Sequence, residues 1–140
     1  MPADCAALVL AAGRGRRFGA DKALVEVDGR PLLGWHVAAF RAVRADPIVV
    51  VRRPDAEALT DPKLVVVTQP EADAPMFDSL RRGLSYIASR GVPAVVTPVD
   101  VPPFKPALPA SLLALADDTL EVVLPFHDGH RGHPLLLTPG

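Results

Sequence analysis

The sequence predicts an α/β domain of three layers, an αβα sandwich with a mostly parallel sheet between its helices. Two observations carry that expectation. Short apolar runs alternate along the chain with segments of helical periodicity, as strand–helix–strand units do. Runs such as Ala6–Leu10 and Ile48–Val51 have no polar interruption, which suits strands buried on both faces and hence parallel ones. With 140 residues, 49% of them hydrophobic, the chain is long enough for one domain with a substantial core.

Ala6–Leu10 is the first strand. It runs into a loop, Gly13 to Lys22, with three glycines and four cations against one acid, Asp21. Glycine permits positive φ and close backbone approach, so such a loop can turn its N–H groups inward as an anion cradle. That many cations on a chain of net charge −1 point to a phosphate site. Two familiar phosphate loops do not fit. A P-loop ends in Gly-Lys-Ser or Gly-Lys-Thr, and no glycine here precedes a lysine. The dinucleotide fingerprint needs glycine where Phe18 stands, and it opens directly into a helix with an apolar stripe.

Ala23–Val27 reads as a short extended piece, and Asp28-Gly29 as a turn. Pro31 suits the first residue of a helix. Leu33, Val37 and Phe40 share one stripe of it, with Leu32, His36 and Val43 beside them. His36 reads as a core-edge histidine and Trp35 as a packing residue. Ile48–Val51 is the second strand, entered through Asp46-Pro47. Arg52 follows at the end where ligands gather in open α/β sheets, so it reads as a phosphate contact or as part of a solvated loop. A helical turn around Asp55–Leu59 leads to the third strand, Leu64–Thr68.

Beyond Gln69–Pro75 comes the strongest helical signal. Phe77, Leu80, Leu84 and Ile87 recur at three- and four-residue steps, and the helix stops at Gly91. Ala94–Thr97, the fourth strand, runs into Pro98-Val99-Asp100-Val101-Pro102-Pro103. An aspartate just past the end of a buried strand is placed to hold a metal, and flanking prolines would present its carboxylate rigidly. A turn-capping aspartate is the alternative. Leu108–Ala116 is an apolar helix, Val122–Leu124 a fifth strand and Leu135–Leu137 a last one. His127, His130 and His133 suggest zinc by spacing, but Asp128-Gly129 makes a turn, so the rings do not share a helical face.

A near-zero net charge argues against a nucleic-acid polymer as partner. No apolar run approaches the ~20 residues that span a bilayer, and Met1–Ala7 lacks a basic-then-apolar signal pattern. Cys5 is the only cysteine, which leaves no intrachain disulfide and reads as a small buried hydrophobe. A cytoplasmic protein is expected, with its oligomeric state open.

From Leu10 to Lys22 the chain matches L-A-A-G-x-G-x-R-x-G-x-x-K at every specified position. The segment resembles the signature of nucleotidyltransferases with a GT-A-like fold, in particular the molybdenum cofactor cytidylyltransferases and their relatives. Three further segments are similar to the family's. Met76-x-x-Ser79-Leu80-Arg81-x-Gly83-Leu84 resembles the stretch that borders the nucleotide, although Pro75 stands where relatives commonly have glycine. Pro98-Val99-Asp100-x-Pro102 resembles the metal-binding turn, and Gly132-His133-Pro134 a segment beside the active-site cleft.

The resemblance implies transfer of a nucleoside monophosphate from a nucleoside triphosphate to a phosphorylated acceptor such as the molybdopterin cofactor, with release of pyrophosphate. It implies Mg²⁺ on Asp100, catalytic roles for Arg17, Lys22 and Asp100, and nucleotide contacts from Leu10, Ala11, Ala12, Gly13, Arg14, Gly15, Lys22 and Ser79. Gly132 and His133 fall on the acceptor side. CTP is favoured, because Ala12 carries a methyl group where guanylyl-transferring relatives look to have glycine. Relatives continue with a further strand and helix, so residues 1–140 read as a single domain incomplete at its C-terminus. Transfer of a guanylyl group, or transfer to a sugar 1-phosphate, is the near alternative. An NADP-dependent oxidoreductase would use Gly13, Gly15 and Gly19 for the pyrophosphate and Arg52 for the 2′-phosphate, and leaves Lys22, Asp100 and Gly132-His133-Pro134 unexplained. A non-catalytic nucleotide-binding module is the third reading.

Overall fold

The computed structural model describes residues 4–12, 22–71, 75–117 and 121–139. β1 (Ala6–Ala11) is followed by a 3-10 turn, Lys22–Leu24, and a small hairpin of β2 (Glu26–Val27) and β3 (Arg30–Pro31). Then come α1 (Leu32–Ala42), β4 (Ile48–Arg52), β5 (Val65–Thr68) and α2 (Met76–Ile87). β6 (Ala94–Pro98) and α3 (Ala107–Ala114) lead to β7 (Val122–Val123), β8 (Phe126–His127), β9 (His130–Arg131) and β10 (Leu135–Leu137).

The main sheet has the order β5-β4-β1-β6-β10-β7. β1 pairs in parallel with β4 on one side and β6 on the other, and β4 pairs in parallel with β5. β10 is antiparallel to both of its neighbours. The mostly parallel sheet expected from the sequence is therefore present.

All six residues of β1 are buried, and they feed two cores by turns. Ala7, Val9 and Ala11 pack with Leu33, Val37 and Phe40 of α1 and Leu112 of α3. Ala6, Leu8 and Leu10 pack with Leu80, Leu84 and Ile87 of α2. That alternation makes three layers out of one strand. Full burial stabilises by about 1.5–3 kcal/mol for each Leu or Val side chain, so the central strands contribute most of what holds the sheet. Cys5, just ahead of β1, is buried as expected. Burial first, and the charge of Asp4 second, push its thiol up to about 11.

Four local readings need correction. Pro31 lies just outside α1, where the Leu32 N–H instead bonds the Val25 carbonyl at 2.8 Å. Asp55–Leu59 forms no helix; the Arg52 guanidinium donates to the Glu57 carbonyl at 2.7 Å and draws the chain into a loop. α3 ends at Ala114, its carbonyls taken up by the Leu115 and Ala116 N–H groups at 3.1 Å. Phe77 is 65% exposed, and the stripe that α2 buries is Ser79, Gly83 and Ile87. Gly83 explains this tilt, because a Cβ there would overlap the Cδ atoms of the buried Leu8.

Trp35 packs as expected, its indole N–H donating to the Val27 carbonyl at 2.8 Å beneath the Arg30 guanidinium. Asp28-Gly29 and Asp128-Gly129 both turn through positive φ, as their sequences predict. Among the described residues, no helix is long and apolar enough to cross a membrane.

The Gly83 contact makes a direct prediction. Gly83→Val should destabilise the protein by about 1–3 kcal/mol through overpacking, despite the better helix propensity of valine. Thermal unfolding followed by circular dichroism measures this, and an unchanged midpoint would mean that α2 does not rest on Leu8.

Candidate functional site

β1, β4, β5 and β6 run the same way, so their carboxyl ends lie along one edge of the sheet. Ala12, Arg52, Gln69 and Asp100 follow or end those strands. β10 runs the other way, with Leu135 opposite Val96, so Gly132-His133-Pro134 enters the sheet at that same edge. The chain steps from β1 to β4 and β5, then returns to place β6 on the far side of β1. In open α/β sheets the ligand crevice opens where the winding reverses, here between the ends of β1 and β6.

Those two ends are joined directly. The Val99 N–H donates to the Leu10 carbonyl at 3.0 Å. The Val99 carbonyl accepts from His36 Nε2, also at 3.0 Å. Val99 is thus held on both sides of its backbone, and the next residue, Asp100, is exposed. The Thr97 hydroxyl donates to the Pro98 carbonyl at 2.9 Å. Leu10, Ala11 and Ala12 are all buried at the start of the basic loop. Gly13, Arg14, Gly15 and Arg17 lie outside the described residues, as does the Lys22 side chain; the backbone resumes in the turn Lys22–Leu24.

His36 is the residue whose importance the sequence concealed. It sits on α1 at 0% exposure, more than a core-edge position. Its ring stacks on Phe104 with centroids 5.1 Å apart and planes 19° apart. Burial holds its pKa below the ordinary imidazole value, against the opposing pull of the Val99 and Val101 carbonyls. Since a carbonyl only accepts, the shared proton is on Nε2. The apolar stripe of α1 places His36 beside the core, but nothing local names Val99 as its partner.

A metal can be tested against the donors present. Among the described residues no three His, Cys, Asp or Glu side chains converge, which does not fit structural zinc. His127 and His130 face each other across the β8–β9 hairpin, so the histidine spacing builds no cluster. A single exposed carboxylate does fit Mg²⁺, which keeps most of its shell as water and phosphate oxygens.

Ser79 lies beneath the edge, not on the helix surface. It is 3% exposed, and its hydroxyl takes a hydrogen bond from the amide of the fully buried Gln69. Arg52 is neither a free phosphate contact nor a solvated loop residue, being 3% exposed and bonded to Glu57. This removes the 2′-phosphate role that an NADP site would give it. Arg81 is exposed beside a groove of about 460 Å³ on the β5–α2 flank, lined also by Val67, Asp78, Arg82 and Ser85. Gly132 is half-buried, with its N–H on the Pro125 carbonyl at 2.9 Å, and His133 is exposed.

Comparison with known proteins gives a consistent result. Residues 7–140 match the pattern of the MobA-like NTP transferase domain. The molybdenum cofactor guanylyltransferase of Cereibacter sphaeroides is 35% identical over 129 residues, covering 91% of this chain and 64% of that protein. A probable molybdenum cofactor guanylyltransferase of Thermococcus kodakarensis is 38% identical over 93 residues, 63% of this chain and 46% of that protein. The chain thus spans roughly half to two thirds of the length of such relatives. In three dimensions it is similar to a nucleotidyl transferase from Methanothermobacter, with a TM-score of 0.76, 26% identity and coverage of 96% of this chain and 71% of that one. Rv0371c of Mycobacterium tuberculosis H37Rv superimposes at a TM-score of 0.78 and 24% identity, over 97% of this chain and 72% of that one.

The Ser79–Gln69 pair can be checked on its own. Ser79→Ala leaves a buried amide without its acceptor, which costs about 1–3 kcal/mol. Urea unfolding should show a lower midpoint at unchanged slope. An unaltered midpoint would show that Gln69 does not depend on Ser79.

Proposed function

Since the chain belongs to the family of the MobA-like NTP transferase domain, we propose that it transfers a guanylyl group from GTP to a phosphorylated acceptor of the molybdenum cofactor type, releasing pyrophosphate. One observation carries this reading. The Val99–Leu10 hydrogen bond fastens the exposed Asp100 to the strand that opens into the glycine- and arginine-rich loop. The backbone leading to Asp100 is thereby held against the strand that leads into the proposed phosphate cradle, at the switch point of the sheet.

The acceptor's phosphate oxygen attacks the α-phosphorus; a P–O bond forms as the bond to the β-phosphate bridge breaks. Such a transfer asks the protein for alignment and charge neutralisation more than covalent chemistry. Arg17 and Lys22 would meet the triphosphate, with the loop N–H groups from Ala12 onward along its inner oxygens. Asp100 would hold Mg²⁺, which when bound offsets the phosphate charge. A solved complex of Rv0371c carries manganese, in keeping with a divalent cation in this fold. Ser79, which the resemblance puts beside the nucleotide, is buried and bonded to Gln69, so it would act by fixing the segment that follows β5. Gly132 and His133, in the segment that leads into β10, would face the acceptor. The reading carries with it a cytoplasmic location and no nucleic-acid or membrane partner.

The preference for CTP expected from Ala12 is not supported, because the curated relatives are named for guanylyl transfer. The physical reason lies in the packing. The Ala12 methyl belongs to the core cluster under α2, so it takes its space from the core and not from the base.

Three measurements test the proposal. Titration with GTP, CTP, UTP and dTTP at one Mg²⁺ concentration should find GTP tightest, and tighter binding of CTP would overturn the guanylyl assignment. Asp100→Asn should keep the fold while losing metal-dependent triphosphate binding, since a hard cation prefers the charged ligand. Lys22→Ala should weaken GTP about tenfold and GMP far less, one charge-assisted bond being worth ~1.5–3 kcal/mol. Undiminished Mg²⁺-dependent binding in the first variant, or equal weakening for GTP and GMP in the second, would remove that residue from the site.

A further inference from the structure

We infer that His36 is the positioning residue of the Asp100 turn, gripping the turn at both ends so that its carboxylate is presented to the metal. The inference rests on the proposed function of Asp100 as metal ligand. At the entry, His36 Nε2 donates to the Val99 carbonyl across a sequence separation of 63 residues. That carbonyl belongs to the same peptide unit as the Asp100 nitrogen, so the bond fixes the plane from which Asp100 departs. At the exit, the other face of the contact is Phe104, stacked on the same imidazole at 5.1 Å and braced in turn by Phe40 at 5.6 Å.

Between these two anchors the backbone has little freedom. Pro102 and Pro103 lock their own φ angles, and Pro102 confines Val101 to extended conformations. Asp100 is the exposed residue at the head of that segment, with the chain pinned behind it. His36 itself is wholly buried, away from solvent. It therefore acts only through the turn. The affinity of a metal for Asp100 depends on how well that carboxylate is oriented beforehand.

The test is Mn²⁺ binding to the protein–GTP complex, followed by electron paramagnetic resonance, beside GTP binding in EDTA. His36→Leu removes the donor, and Mn²⁺ affinity should fall about five- to tenfold, the worth of one backbone hydrogen bond. GTP binding in EDTA should stay within about twofold, a split that general loosening of the fold would not give. His36→Gln, whose amide reaches the same carbonyl, should recover most of the Mn²⁺ affinity. Should His36→Leu not fold, Phe104→Leu loosens only the exit of the turn and should weaken Mn²⁺ with the same selectivity. Wild-type Mn²⁺ affinity in a folded His36→Leu or Phe104→Leu variant, equal losses with and without metal, or no recovery by glutamine would overturn the inference alone. A wild-type protein with no GTP-dependent Mn²⁺ site would overturn the proposed function and this role together.

Discussion

β1 has no face to give to water. Its six residues are buried, its side chains fill two cores by turns, and its backbone is bonded to β4 on one side and β6 on the other. A strand in that position obliges the chain to supply cover for both faces. Parallel partners also need long crossovers, provided by α1 between β1 and β4, by α2 between β5 and β6, and by a loop between β4 and β5. Successive crossovers share one hand, so strands added on opposite sides of β1 bring their helices to opposite faces. α1 lies on one side and α2 on the other for that reason. The same reversal opens the crevice between β1 and β6.

Close approach of α2 follows from Gly83, which lets the helix settle on Leu8. Met76 and Phe77 in the first turn of that helix are left exposed. Polar side chains drawn into this tight core each make at least one specific bond, although His36 Nδ1 and Gln69 Oε1 are buried without a partner among the described residues. His36 takes Val99, Arg52 takes Glu57, and Gln69 takes Ser79. Buried polar groups are costly unless bonded. Each of these pairs ties a segment near the carboxyl edge to the rigid interior. The edge is held by a few specific bonds where the interior is held by packing.

Function follows from that division. A nucleotidyl transfer needs phosphate, cation and acceptor held in line with little help from nucleophiles or bases. On the proposed reading, the exposed Asp100, next to a Val99 hydrogen-bonded on both sides of its backbone, would meet that need with few residues. A long apolar sheet with a sparse polar rim suits such chemistry.

Much of this was legible in the sequence. Uninterrupted runs such as Ala6–Leu10 announce buried parallel strands, and helical periodicity announces α1 and α2, because both signals are local. Asp28-Gly29 and Asp128-Gly129 name their turns by the same rule. The Leu10–Lys22 pattern begins, and Asp100 stands, at ends of strands that share one edge, as strand ends in a parallel sheet must. What the sequence left open is what each side chain faces. Phe77 belongs to the apolar stripe by spacing, yet Gly83 sets the tilt that exposes it. Arg52 and Ser79 look accessible by position and are buried by what packs over them. Ala12 looked like a gauge of the base and proved part of the core. His36 finds Val99 at a sequence separation of 63. Periodicity is written in neighbours three or four residues away; a buried hydrogen-bond partner is chosen only when distant segments are pressed together.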